Sequence, residues 1–459
     1  MTIVDIGTPA IATRLADWLV ELSSDDLPPG VVEMSRKLIV DVAGLAVAAR
    51  SELYVSAALG SGEPGSATAI GHAQALDTFS AALVNGTAAH GEDYDDTFEG
   101  GPVHSGAVIV PAVLAVCERE RLGGERLLVG MAAGVELLCR LSLVAPKAIH
   151  KAGFHPTAVI GAVAAAGAVS AALGMDRRST ASALGIAASM AAGIIEYLAE
   201  GTWTKRVHAG FAAQSGIRAA LMARGGFLGP RTVFEGVHGF FKAFAPSREP
   251  DFTPLMDGLG SNWLTETIAF KPYACGTMTQ PFIDCAVKLA ESGVEADQIV
   301  DILCPVGEGT VHRLWEPLAV KHAPQTPYAA KFSTPICMAL GFFDRKAGLA
   351  QFTEERIADP AVRKLAAKIR YVVDPDDQYP NNFTGKLVAT LADGSVREFQ
   401  QPHMRGGRHA PLTGREVEDK FRDNARYGGW DDSTAEAFLS YSREIFQAHD
   451  LGRLAEFRK

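Results

Sequence analysis

The stretch Asn85-Gly86-Thr87-Ala88-Ala89-His90-Gly91-Glu92-Asp93-Tyr94-Asp95-Asp96, followed by His104, gathers groups able to do chemistry. Four carboxylates fall within five residues, with a histidine on either side. Carboxylates this close repel one another, and any buried one needs a partner or a shifted pKa. Folded proteins tolerate that at working sites. A solvated acidic loop between two helices is the plain alternative.

A carboxylate in a partly dry pocket beside a cation can act as a general base, which makes Asp93 a candidate. His90 and Asp93 are three apart and share a face if the preceding helix runs on. Asp95 and Asp96 read as caps of backbone amides or partners of arginines. His104 lies in Gly100-Gly101-Pro102-Val103-His104-Ser105-Gly106, a loop before the apolar run Val108–Cys117, and such a junction tends to face a cleft. His155 precedes Pro156, which suits a first helical position, so a substrate carboxylate could bind the free amides there. In Thr204-Lys205-Arg206-Val207-His208, Lys205 and His208 share a helix face and suit a carboxylate ligand. Lys271 and Tyr273, on either side of Pro272, could hold an anion or transfer a proton.

Glu92, Asp93, Asp96, His90 and His104 are types that bind divalent cations, but no HExxH or second cluster accompanies them, so no metal is expected. Gly60-Ser61-Gly62-Glu63-Pro64-Gly65 matches GxGxxG by letter, without a strand–helix–strand pattern around it. There is no GxxxxGK[ST] loop, no GxSxG elbow and no recognisable pyridoxal lysine. What remains is cofactor-free proton chemistry beside a carboxylate. Removing a proton there makes an enolate-like anion that nearby cations must stabilise. Loss of hydroxide from it gives a dehydratase, and reprotonation on the other face gives an epimerase. A decarboxylase reaches such an anion by losing CO2.

These groups must be carried by a chain of 459 residues, 47% hydrophobic and 21% charged, with a formal net charge of −10. That is an ordinary globular composition. The acidic balance argues against nucleic acid as a partner. The six cysteines form no CxxC pair and fit buried, reduced thiols in a cytoplasmic protein. Met1–Leu15 lacks the pattern of a signal peptide. The uncharged run Thr157–Met175 is long enough to span a membrane, but its Ala and Gly content suits a helix buried among helices.

The spacing of apolar residues predicts helices over Ala10–Ser23, Val31–Ala49, Asp77–Ala89, Val108–Glu120, Leu127–Val144, Thr157–Leu173, Thr180–Leu198 and Trp203–Met222. From about 267 the character changes. Ile299–Cys304 and Ile369–Val373 read as strands, and Lys386–Leu391 with Ser395–Phe399 as a hairpin about Asp393-Gly394. Helical patterns at Thr279–Ser292 and Thr334–Phe343 lie between them, and helix returns at Gly414–Tyr427 and Asp432–Gln447. The expected fold is mainly α: a large all-helical domain from both chain ends (1–266 and 402–459) and an inserted smaller α+β lid domain (267–401).

At these same residues the chain resembles the MmgE/PrpD family. The motifs are Asn85-Gly-Thr-Ala-Ala-His90 with Asp93-Tyr-Asp-Asp96, His104-Ser-Gly, Gly153-Phe-His155-Pro, Thr204-Lys205 with His208-Ala-Gly, Lys271-Pro-Tyr, Ala330-Lys331-Phe-Ser and Lys420-Phe421. The resemblance implies a dehydratase, decarboxylase or epimerase of carboxylic acids, a homodimer, no required cofactor, and a site between the domains. The positions matching the family site are Asp93, His104, His155 and Lys205. His208, Lys271, Tyr273, Thr277 and Gln280 are substrate-binding candidates. In Cys275-Gly276-Thr277-Met278-Thr279-Gln280, Thr277 and Gln280 stand where relatives often carry Arg and His. Without that bidentate clamp the substrate is expected to be a smaller or less charged acid than a tricarboxylate. The leading expectation is a hydro-lyase, with an epimerase or decarboxylase as alternatives, and a non-catalytic carboxylate-binding homologue as a third reading.

Overall fold

The computed structural model describes residues 9–101 and 103–459. Part of the stretch on which the absence of a signal peptide was read lies outside them, as does Pro102. The chain divides into two compact units. The first takes the chain as far as Gly91, then Asp95–Ile268 and Val417–Lys459. The second takes Glu92–Tyr94 and Ala269–Glu416.

The first unit is built mainly of helices. Those that carry the site are α1 (Thr78–Gly91), α2 (Gly106–Glu120), α3 (Gly124–Val144), α4 (Pro156–Leu173), α5 (Arg177–Met190) and α6 (Thr204–Arg224). Helix α4 starts at Pro156, whose missing N–H costs nothing there, and stops at Gly174 with φ +63°. Helices α3 and α4 are apolar and long enough to cross a membrane, yet 94% of each apolar window is buried inside the protein. Small residues let such helices approach closely. A Cβ on Gly86 of α1 would lie 2.7 Å from Cα of Gly210 of α6, so this crossing tolerates no side chain. The crossing sits four residues before His90 and two after His208. The returning helix Gly414–Tyr427 is tied to the helix Pro29–Ala49 by a buried 2.7 Å ion pair between Lys420 and Asp41.

Helix α5 ends earlier than its apolar spacing predicts. The chain turns extended at Ala191, and Gly193 takes φ +124°, which a glycine adopts without strain. The Gly193 carbonyl then accepts the His155 amide at 2.8 Å, and Ile194 bridges Phe154. The segment that breaks the helix therefore supports the residue that opens α4.

The second unit carries a four-stranded sheet of β1 (Ile299–Val306), β2 (Ile369–Val373), β3 (Gly385–Leu391) and β4 (Val396–Gln401), in the order β2-β1-β3-β4. β1 and β2 run parallel, and the other pairs antiparallel. Gly394 at φ +81° turns the β3–β4 hairpin, and the Asp393 carboxylate accepts the Ser395 amide at 2.8 Å. Helix Gln280–Glu291 covers β3 and packs on Thr334–Asp344. The glycine-rich run 60–65 follows a helix (Leu53–Gly60) and leads into a strand (Pro64–Thr68), the reverse of the order a dinucleotide fold needs.

Candidate active site

In the first unit four imidazoles gather where α1 ends and α2, α4 and α6 begin. His90 sits in the last turn of α1, with its ring centroid 5.0 Å from that of His104 and 5.5 Å from that of His155. His155 and His208 lie 5.3 Å apart by centroid, with their Nδ1 atoms 3.2 Å apart. One of those nitrogens must carry the proton that the other accepts. Tyr197 stands edge-on to both rings.

Two consecutive carboxylates hold this cluster in place. Asp96 accepts the Ser105 amide (2.9 Å), the Ser105 hydroxyl (2.7 Å) and the Gly106 amide (2.8 Å), and so caps α2. Asp95 turns toward the histidines, 2.7 Å from His90 Nδ1 and 3.4 Å from His104 Nδ1. His104 Nδ1 also lies 2.6 Å from the Asp96 carbonyl oxygen, which can only accept. That nitrogen therefore carries hydrogen, and Nε2 is left for chemistry.

Burial decides the charge on two of these rings. It holds His155 well below the ordinary histidine range, helped by the neighbouring His90 and Lys205. Burial, His90 and Lys205 together push His208 down to about 4. Both rings are neutral at pH 7, as a proton acceptor must be. Asp96 moves the other way, up to about 7, through burial and the neighbouring Asp95 charge. A cavity of about 590 Å³ adjoins the cluster, walled by Ala158 and Ala162 of α4, Tyr197, and Val207, His208 and Phe211 of α6.

The His208 shift is a stability statement with a definite sign. Below pH 6.5 the unfolded chain protonates this ring while the folded chain does not, so stability is full above 6.5 and lost as pH falls toward 4. The loss amounts to about 3 kcal/mol over that window. Asp96 contributes with the opposite sign, so the effect is read by difference. We expect the thermal midpoint of His208→Gln to rise relative to wild type as pH falls from 7 to 4.5. A difference that stays constant with pH would contradict the shift.

The second unit holds the other charged set. Asp93 sits at φ +56°, a left-handed conformation that Asp tolerates better than most residues. Its carbonyl accepts Lys271 Nζ at 2.8 Å, and its carboxylate lies 3.8 Å from the same ammonium. Lys271 is 1% exposed. Lys331, also buried, donates to the Glu92 carbonyl at 2.9 Å. Two buried lysines thus pin the tripeptide Glu92–Tyr94.

His104, His155 and His208 come together as ring neighbours, and Lys205, half-buried on the first turn of α6, acts electrostatically on His155 and His208. Asp93 pairs with Lys271. Helix α1 stops at Gly91, so the helical face expected for His90 and Asp93 does not form, and His90 pairs with Asp95 instead. His155 is the N-cap residue of α4, but its imidazole bonds His208 and caps nothing.

Tyr273 points inward: its hydroxyl donates to Asp284 at 2.7 Å, while Arg405 lies 3.1 Å from the same carboxylate oxygen. Gln280 is fully buried, and its amide N–H groups hold the carbonyls of Tyr273 and Cys275. Both are better explained as braces of the turn than as substrate ligands. Thr277 is half-buried in the short turn Thr277–Thr279.

Residue-type reasoning missed the pairing role of Asp95 and the pinning role of Lys331, although both lie in the motifs quoted above. His90, Asp95 and His104 offer ligand atoms within 4.8 Å of one another. The hydrogen on His104 Nδ1 rules that nitrogen out as a ligand in this geometry.

The chain is similar to known proteins along most of its length. Residues 13–253 match the MmgE/PrpD N-terminal domain, and residues 273–439 match the MmgE/PrpD C-terminal domain. A cis-aconitate decarboxylase of Aspergillus terreus is 31% identical over 387 residues, 78% of this chain and 77% of the relative. A cis-aconitate decarboxylase-like protein of Aspergillus oryzae is 28% identical over 450 residues, 92% of each chain. The cis-aconitate decarboxylase of Mus musculus is 28% identical over 442 residues, 91% of this chain and 87% of the relative. This chain belongs to the MmgE/PrpD family.

Proposed function

We propose that this protein is a cofactor-independent lyase that acts on a small carboxylic acid by moving a proton at the carbon next to a carboxylate. The observation that carries the reading is His155, buried and held neutral beside the charge of Lys205. A neutral imidazole can take a proton from substrate, while an ammonium nearby stabilises the negative charge that develops. His104, with hydrogen on Nδ1, offers Nε2 as the exchanging atom on the other member of the pair.

Two reactions use this set of groups. In a hydro-lyase, the base removes the α proton and the acid protonates the departing hydroxyl, which leaves as water. In a decarboxylase, the C–C bond electrons stay on the α-carbon as CO2 leaves, and the acid protonates that carbon. The printed activities of the relatives support decarboxylation as well as the residues support dehydration. Thr277 favours an acid with fewer carboxylates than a tricarboxylate, since it supplies no guanidinium clamp. An epimerase would use the same groups and return the proton to the opposite face.

Lys205 is assigned to the substrate carboxylate. A charge-assisted hydrogen bond of that kind predicts that Lys205→Ala raises KM roughly 10–100-fold, with a smaller change in kcat. Steady-state kinetics on the acid that is turned over checks this. Unchanged KM would remove Lys205 from the assignment. Binding of carboxylates with no turnover, while Asp93, His104 and Lys205 are intact, would favour a binding-only homologue.

A further inference from the structure

Asp95 is fully buried, and no step of the reaction above uses it. Its neighbour Asp96 is spent on the start of α2, where three donors occupy its oxygens. Asp95 has a different set of partners. One oxygen takes the His90 Nδ1 contact at 2.7 Å, and the other faces His104 Nδ1 at 3.4 Å. The hydrogen on His104 Nδ1 is held by the Asp96 carbonyl, and the Asp95 carboxylate lies beside it as a neighbouring charge at 3.4 Å.

We propose that Asp95 is the positioning residue for His104. Its buried carboxylate, beside the Nδ1–H that the Asp96 carbonyl holds, favours the imidazolium that can give a proton to substrate from Nε2. The proposal rests on the reading that His104 moves a proton. A carboxylate excluded from water acts strongly on a ring this close, because little solvent screens it. Buried acids behind a working histidine fix its tautomer and stabilise its charged form.

Other charges facing this pair temper the effect. Asp96 lies beside Asp95 in the chain, and with its pKa raised to about 7 it is only partly charged at neutral pH. On α1, His90 shares the Asp95 carboxylate. On α4, His155 lies 6.5 Å from the His104 ring by centroid. On the helix Pro29–Ala49, Asp41 acts on Asp96 and is itself paired with Lys420. The Asp95 carboxylate faces His104 Nδ1 at 3.4 Å.

The test is nitrogen NMR of the full chain labelled on its histidine rings, without substrate. In the wild type, His104 should carry hydrogen on Nδ1 across neutral pH. In Asp95→Asn, the His104 ring should titrate at a pH about one unit or more lower. Asp95→Glu keeps the charge and should restore most of the wild-type titration. An unmoved His104 titration in a folded Asp95→Asn protein overturns the proposal. So does a bare Nδ1 on wild-type His104, a result that does not depend on the variant folding.

Turnover supplies a second readout. Asp95→Asn should lower kcat by roughly tenfold or more and move the alkaline limb of its pH profile acidward, with KM little changed. A lower thermal midpoint with that limb unmoved would make Asp95 merely structural. The ring titration needs no substrate, so a chain that turns over none of the acids tried would sink the lyase reading while this proposal was still decided by NMR.

Discussion

His155→Gln is expected to lower kcat by roughly 10²–10⁴-fold, the range that a positioned acid or base contributes. Glutamine keeps a polar group at the start of α4 and can still bond His208, so the fold should survive. It cannot take up a proton. The backbone contact from the His155 amide to the Gly193 carbonyl is unaffected by the substitution. Comparing kcat with the thermal midpoint separates the two effects. A drop in kcat below tenfold in a folded variant would mean that His155 only shapes the pocket.

Lys271→Met is expected to destabilise the protein by about 3–5 kcal/mol, the cost of removing one partner from a buried ion pair. Lys271 donates to the Asp93 carbonyl at 2.8 Å and is the cation 3.8 Å from its carboxylate. Methionine fills similar volume but offers neither charge nor hydrogen bond. Asp93 also occupies a left-handed backbone position, which surrounding contacts must hold. Urea unfolding of the variant checks the value. A change under about 1 kcal/mol would show that the pair contributes little to holding Asp93 in place.

Much of the mainly helical character, and the small sheet, could be read from spacing. The strand Ile369–Val373 and the helix Gly414–Tyr427 have the ends that their patterns predict, because β-branched runs and amphipathic faces mark both well. The Asp393-Gly394 turn was legible because few sequences meet its φ requirement. Helix α5 was overrun by eight residues, since Ala191–Leu198 continues an apolar pattern and only tertiary contacts at Gly193 and Ile194 pull it out of the helix.

Of the candidate site, His104, His155, Lys205 and His208 could be singled out because prolines, glycines and helix starts flag such positions. Their grouping was not visible, as it depends on a glycine-to-glycine helix crossing far apart in sequence. Nor does spacing say which way a side chain turns. Tyr273 and Gln280 sit in a motif yet face their own unit's interior. Asp93 leaves the helical face expected for it because α1 stops two residues earlier.

The measurement that tests the central claim most directly is proton NMR of the purified protein in deuterated water with a panel of small acids. The panel holds cis-aconitate, 2-methylcitrate, citrate, malate, iminodisuccinate and shorter 2-hydroxy acids. The lyase account predicts net conversion of at least one of them. Loss of CO2 with deuterium at the former carboxyl-bearing carbon identifies a decarboxylase, and new alkene signals identify a hydro-lyase. Deuterium exchanged at the α-carbon without net conversion, or no change in any acid that demonstrably binds, would contradict it.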